Sequence, residues 1–156
     1  MKINTCCFFG HRDINITENL KFKLNEIIEK LITQNSVGTF LFGSKSKFDT
    51  LCLEVVSELK EKYPYIKRVY VRAEYQDINE KYEKYLLRNY EETYYPPKIR
   101  NAGRATYIER NCEMINNSHF CIFYYDEQGI PTTRKSGTKI AFDYAVNKEK
   151  CIIKTL

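Results

Sequence analysis

The chain has 156 residues, 43% of them hydrophobic and 29% charged, with a formal net charge of +5. That length suits one domain, taken as residues 1–156, and the apolar content excludes a disordered chain. No run approaches the roughly 18 apolar residues of a membrane span, and the run Cys6-Cys7-Phe8-Phe9 is too short for a signal-peptide core, so a cytoplasmic protein with no membrane partner is expected.

Residues 5–9 form a continuous apolar run ending in Gly10-His11-Arg12, the pattern of a central strand buried on both faces. Leu20, Leu24, Ile27, Ile28, Leu31 and Ile32 then share one helical face. Asn15, with Glu18 three residues on, reads as its capping box, and Gly38 reads as its positive-φ stop. A second strand is predicted at 39–42 and a second helix at 48–62, stopped by Pro64. Residues 66–72 are rich in β-branched side chains and predict a third strand. Residues 78–90 read as a helix and 91–105 as a loop, forming a flap or an oligomer contact. A helix at 106–116, a strand at 120–125, a turn-rich loop, a helix at 137–147 and a strand at 151–153 complete the chain. Strands alternating with helices predict an α/β fold: a Rossmann-like three-layer sandwich with a mostly parallel sheet.

The six cysteines fall in predicted strands and helices, none in C-x-x-C spacing, so they are read as reduced, mostly buried thiols. With only two histidines, no zinc tetrad has ligand spacing, and no metal is assigned. The small, dispersed positive charge suits an anionic ligand better than nucleic acid.

In open α/β sheets, ligands sit beyond the carboxyl ends of the strands, where helix N-termini present N–H groups. Four such junctions are visible: Gly10-His11-Arg12, Gly43-Ser44-Lys45 through Asp49, Val71-Arg72-Ala73-Glu74, and Arg134-Lys135-Ser136-Gly137-Thr138-Lys139. Glycine admits a ligand close to the backbone, hydroxyls donate, and Arg or Lys neutralises charge, which is what phosphate recognition requires. None is a G-x-G-x-x-G or P-loop fingerprint. His11 could instead fix its turn, Asp49 could cap a helix, and Arg110 could pair with Glu113. His119 reads as structural, and Tyr82, Tyr85, Tyr90, Tyr94 and Tyr95 as packing or as stacking platforms.

The order of these motifs resembles the SLOG superfamily, particularly its small YpsA-like and DUF1273-like bacterial and phage members. Gly10-His11-Arg12 matches the end of a T-G-H-R strand, and Gly43 to Asp49 matches a glycine turn followed by G-x-D. Arg110-Asn111-Cys112-Glu113-Met114-Ile115-Asn116-Asn117-Ser118 matches R-N-x-x-M-[IV]-[DN]-x-[SA], and Ser136-Gly137-Thr138 a G-G-T helix start. The resemblance covers nearly the whole chain. It implies a Rossmann-like fold and a nucleotide pocket built from Gly10, His11, Arg12, Gly43, Ser44, Asp49, Arg110, Asn111, Ser136, Gly137 and Thr138. It also implies self-association. Relatives include cytokinin-activating phosphoribohydrolases, a single-stranded-DNA-binding recombination mediator and sensors of NAD-derived signals.

One departure bears on catalysis. The phosphoribohydrolase signature P-G-G-x-G-T-x-x-E places a glutamate where this chain has Ala141. Asp143, two residues on, lies about 200° around the helix. The expectation is therefore a non-catalytic protein that senses or sequesters an ADP-ribose-type or cyclic nucleotide, in phage defence or counter-defence, with no cofactor. The alternatives are a nucleotide N-glycosidase using Glu74 or Asp49, and a single-stranded nucleic-acid-binding module.

Overall fold

The computed structural model describes residues 3–126 and 136–156. Six strands form one sheet: β1 (Asn4–Gly10), β2 (Val37–Phe42), β3 (Lys67–Val71), β4 (Glu92–Tyr94), β5 (Phe120–Tyr124) and β6 (Cys151–Lys154). Their spatial order is β4-β3-β2-β1-β5-β6, and every pairing is parallel. The helices are α1 (Glu18–Gln34), α2 (Lys47–Lys62), α3 (Glu80–Leu86), α4 (Thr106–Asn116) and α5 (Gly137–Asn147). This is the expected three-layer Rossmann-like sandwich. No helix of the described residues is long and apolar enough to cross a membrane.

The period of two along the strands divides the core between the faces of the sheet. Cys6, Phe8, Phe40, Phe42 and Tyr70 point to one side, against Leu24 and Ile28 of α1 and Leu51, Cys52 and Val55 of α2. Cys7, Phe9, Leu41, Val69 and Phe123 point to the other, against Met114 and Ile115 of α4 and Ala141 and Ala145 of α5. Because β1 is buried on both faces, its run Cys6–Phe9 is uniformly apolar. All six cysteines are free thiols: Cys6, Cys7, Cys52 and Cys121 are buried, Cys112 is partly buried and Cys151 is exposed.

Several local expectations are corrected. The N-cap of α1 is Thr17, whose Oγ1 accepts from Leu20 N, rather than Asn15. Gly38 lies inside β2, and Ser36 takes the left-handed turn with φ 54°. A side chain at Gly38 would meet Ile3 Cγ2 at 2.8 Å, so close packing accounts for that glycine. The predicted loop at 91–105 contains β4 and two 3₁₀ turns, Pro97–Ile99 and Gly103–Ala105. Three residues are too short to show alternation. Side chains fix this edge strand instead: Arg68 Nη2 pairs with Glu91 at 2.7 Å, and Thr93 Oγ1 donates to Tyr70 O. Helix α3 is also shorter than the predicted 78–90, because Asn79 caps it by accepting from Tyr82 N.

Successive strands step outward from β1 to β4, and the chain then returns to lay β5 on the other side of β1. The topological switch therefore falls between β1 and β5, where crevices form at the carboxyl ends of open α/β sheets.

Candidate functional site

A cleft of about 670 Å³ opens at this end of the sheet. It falls within the roughly 300–1,000 Å³ of small-molecule sites. The segment after β1 supplies Gly10, His11 and Arg12. Gly10 is required by packing, since a Cβ there would sit 2.4 Å from the Phe48 ring. The carbonyl of Arg12 accepts from Lys47 N at 3.0 Å, which ties this segment to the start of α2. His11 Nε2 accepts from Asp126 N at 3.0 Å. A neutral ring accepting at Nε2 carries its proton on Nδ1.

The turn after β2 supplies Gly43, Ser44, Lys45 and Ser46. It is held from within. Ser44 Oγ accepts from Ser46 N at 3.0 Å, and Asp49 Oδ2 accepts from Ser44 N at 3.2 Å. Ser46 Oγ accepts from Asp49 N at 3.1 Å as the N-cap of α2. Lys45 is exposed on this turn. Across the cleft, Ser136 caps α5 by accepting from Lys139 N, and Gly137 and Thr138 form the first turn. Among the described residues nothing lies within 4 Å of a Cβ built on Gly137. The N-terminal ends of two helices thus border one cavity, each carrying a partial positive charge; at α2 the N–H groups of Ser46, Lys47 and Asp49 are already taken up by Ser44 Oγ, Arg12 O and Ser46 Oγ.

Helix α4 contributes Tyr107, Arg110 and Asn111. Arg110 is buried, and donates to the carbonyls of Gly43 and Val71 and, through Nε, to Asn111 Oδ1. The Tyr107 ring lies 5.7 Å from its guanidinium carbon and is 54% exposed. Glu74, after β3, is the one carboxylate among the described lining residues, and Tyr70 Oη donates to it at 3.2 Å.

Twelve of the fifteen residues singled out in the sequence line this cleft: Gly10, His11, Arg12, Gly43, Ser44, Lys45, Glu74, Arg110, Asn111, Ser136, Gly137 and Thr138. Three are placed elsewhere. Asp49 borders an adjoining cavity. Arg72 is buried in its own turn, donating to Tyr75 O, Gln76 O and Thr93 Oγ1. Lys139 pairs with Asp143 at 3.3 Å. Arg134 and Lys135, part of the fourth junction, lie outside the described residues. Glu113 pairs with Lys98, not with Arg110. His119 is structural, its Nδ1 accepting from Thr5 N.

Phe9, Ser46 and Tyr107 line the cleft without having been singled out. Ser46 with Asp49 three residues on has the spacing of a helix cap, and Tyr107 stands three before Arg110 on one helical face; both signals were legible.

Burial pushes the Asp49 carboxyl up to about 7, against the opposing pull of Arg110 and the N–H groups of Ser44 and Gly43. Its Oδ2 is engaged by Ser44, and its buried Oδ1 has no hydrogen-bond partner among the described residues. Ala141, at the position of the phosphoribohydrolase glutamate, is 2% exposed within the core beneath α5. Among the described residues no cluster of His, Cys, Asp and Glu has the arrangement of a metal site.

The family model YpsA, the YspA SLOG family, matches residues 2–155. No curated protein matches the chain. Among solved structures, a molybdenum cofactor carrier protein from Chlamydomonas reinhardtii is similar at a TM-score of 0.59 and 12% identity, over 98% of this chain and 76% of that one. Likeness at that identity speaks for the fold.

Proposed function

We propose, from the premise that this chain belongs to the YspA SLOG family, that its main cleft holds a nucleotide-derived anion, of ADP-ribose or cyclic-nucleotide type, without cleaving it. The supporting observation is the pair of helix N-termini, at Ser46 and Ser136, that border one cleft with Arg12 and Lys45 in its wall. Such ends accept phosphate with little reorganisation. The backbone at Gly137 allows close approach, and Tyr107 offers an exposed ring on which a base can stack. Ala141 brings no carboxylate to the cleft, and Asp143 is occupied with Lys139. One protein of similar fold is a cofactor carrier, which is in keeping with a small-molecule ligand.

Calorimetry against AMP, ADP-ribose and cyclic nucleotides tests this, together with mass spectrometry of ligand released from purified protein. Saturable binding with nucleotide recovered unchanged is expected, and no binding across the panel would overturn it. The reading extends to a self-associating protein that sequesters or senses such a signal in phage defence or counter-defence, with nucleic acid outside its partner set. Light scattering, phage challenge of expressing cells and a low-salt gel shift check these parts separately.

A second reading has a specific observation in its favour. Glu74 is a carboxylate in the cleft wall, held by Tyr70 Oη. It could stabilise a developing oxocarbenium ion or activate water at an N-glycosidic bond. Release of free base from AMP, abolished in Glu74→Gln, would establish this reading over the first.

A further inference from the structure

A smaller cavity of about 220 Å³ adjoins the main cleft, and the two share Ser44 and Lys45 in their walls. Its remaining walls come from α2, β3, α3 and the turn after α3. They are largely aromatic, with Tyr70, Tyr82 and Tyr90 each half-buried or more. The Tyr90 ring packs 5.2 Å from Tyr70 and 6.0 Å from Phe42, so this wall is braced against the core. Asp49 is also in the wall, 3% exposed, with Oδ1 lacking a partner among the described residues. A buried carboxylate oxygen without a donor is costly, and such atoms are rare in folded proteins. Ser44 N–H meets Oδ2 and Arg110 lies near, whereas Oδ1 has no donor among the described residues.

Size decides what fits. Sites for whole small molecules start at about 300 Å³, so a 220 Å³ space takes a fragment of a ligand rather than a nucleotide. The main cleft already has room for a nucleotide and an exposed ring, Tyr107, for its base. Aromatic walls suit a flat heterocycle, and a carboxylate selects one with N–H donors on its edge. Lys45 stands where the two spaces meet, as a cation for phosphates that join the halves.

We propose that the side cavity receives a second aromatic heterocycle bearing N–H donors, which makes the ligand a two-ringed dinucleotide whose pyrophosphate lies at Ser44 and Lys45. This rests on the main-cleft reading above and specifies its ligand class.

The test is calorimetry of the full chain with AMP as the one-ring probe and NAD+ and diadenosine diphosphate as two-ring probes. Asn89→Trp fills the side cavity from an exposed position. At least one two-ring probe should bind wild type more tightly than AMP does. In Asn89→Trp that probe should lose about tenfold in affinity, the scale of one lost base stack, while AMP is held as before. Asp49→Asn, which replaces an acceptor with a donor, should lower the ratio of two-ring to one-ring affinity. Two-ring probes binding no tighter than AMP, or Asn89→Trp weakening all probes alike or none, would overturn the side-cavity assignment and leave the main-cleft reading standing. Failure of every probe to bind wild type would remove both.

Discussion

Arg110 donates from one guanidinium nitrogen to the carbonyls of both Gly43 and Val71, so a single side chain of α4 closes the carboxyl ends of two neighbouring strands. Those carbonyls lie at or just past the ends of β2 and β3, where backbone acceptors need partners from outside the ladder. Burial lowers the Arg110 pKa, and Glu74, Tyr70 and Asp49 around it favour the charged form. Arg110 is therefore floor and clamp of the cleft at once, with Nε and Nη1 engaged within the protein.

That double role sets a prediction. Arg110→Ala would leave two strand-end carbonyls unpaired and Asp49 without its nearby cation, at a cost of about 3 kcal/mol in unfolding free energy. Arg110→Lys keeps the charge but not the fork, and should fall between the two. Urea denaturation measures both. A loss below about 1 kcal/mol for the alanine variant would mean that the clamp contributes little.

Two glycines of the cleft should behave oppositely. A Cβ on Gly10 would overlap the fully buried Phe48 ring at 2.4 Å. Gly10→Ala should therefore destabilise by about 2 kcal/mol, as overpacking does, and Phe48→Leu in the same chain should recover part of that loss. Among the described residues, a Cβ on Gly137 meets nothing within 4 Å. Gly137→Ala should leave the melting temperature unchanged and weaken nucleotide binding, because the methyl group occupies space over the helix end. Unchanged binding would show that the ligand does not approach Gly137.

The long-range outcome was readable where the pattern was long. The uniformly apolar Cys6–Phe9 announced a central strand, and the repeat from Leu20 to Ile32 announced α1. Junction glycines, hydroxyls and cations pointed to one end of the sheet, and twelve of those residues share one cleft. What escaped depends on partners distant in sequence. Strand β4 is three residues held by Arg68 and Thr93, and no local periodicity encodes that. Arg72 resembles a ligand residue by position, yet it faces Thr93 and its own turn, because the chain after β3 folds back over it. Arg110 sits mid-helix beside an obvious partner, Glu113, and takes carbonyls 67 and 39 residues away instead.

Removing the edge clamp tests the account of β4. Glu91 receives Arg68 through Nε, Nη2 and the backbone N–H, and returns its own N–H to Arg68 O. Burial raises the Glu91 pKa, and the Arg68 hydrogen bonds more than reverse this, so the folded-state value lies below the ordinary one. Its stabilisation is thus present above the unfolded pKa and lost as pH falls through the folded one. The pair is partly exposed, at 15% and 27%, so Glu91→Gln should cost only about 1 kcal/mol. Hydrogen exchange should quicken at the amides of 92–94 and stay slow in β1. Uniform acceleration across the sheet would count against a local clamp.

Asp49 predicts a pH dependence of the opposite sign. Burial lifts its pKa from 3.8 to about 7, so the folded protein keeps a proton that the unfolded chain has released. Between those values the folded state binds more protons, and stability must fall as pH rises from about 4 to about 7. The decline is bounded at on the order of 4 kcal/mol. Asp49→Asn cannot titrate, so the difference in unfolding free energy between variant and wild type should move in the variant's favour across that window. Both histidines and Glu91 are common to the two proteins and largely cancel in the difference. Denaturation at about pH 5 and about pH 8 measures it, and parallel profiles would refute a raised Asp49. Ligand should reshape the same curve. A heterocycle donating N–H to the Asp49 carboxyl favours the carboxylate, so binding should release a proton near neutral pH and strengthen as pH rises through 7. Calorimetry in buffers of different ionisation enthalpy reads that proton directly, and its absence in Asp49→Asn would assign it to this carboxyl.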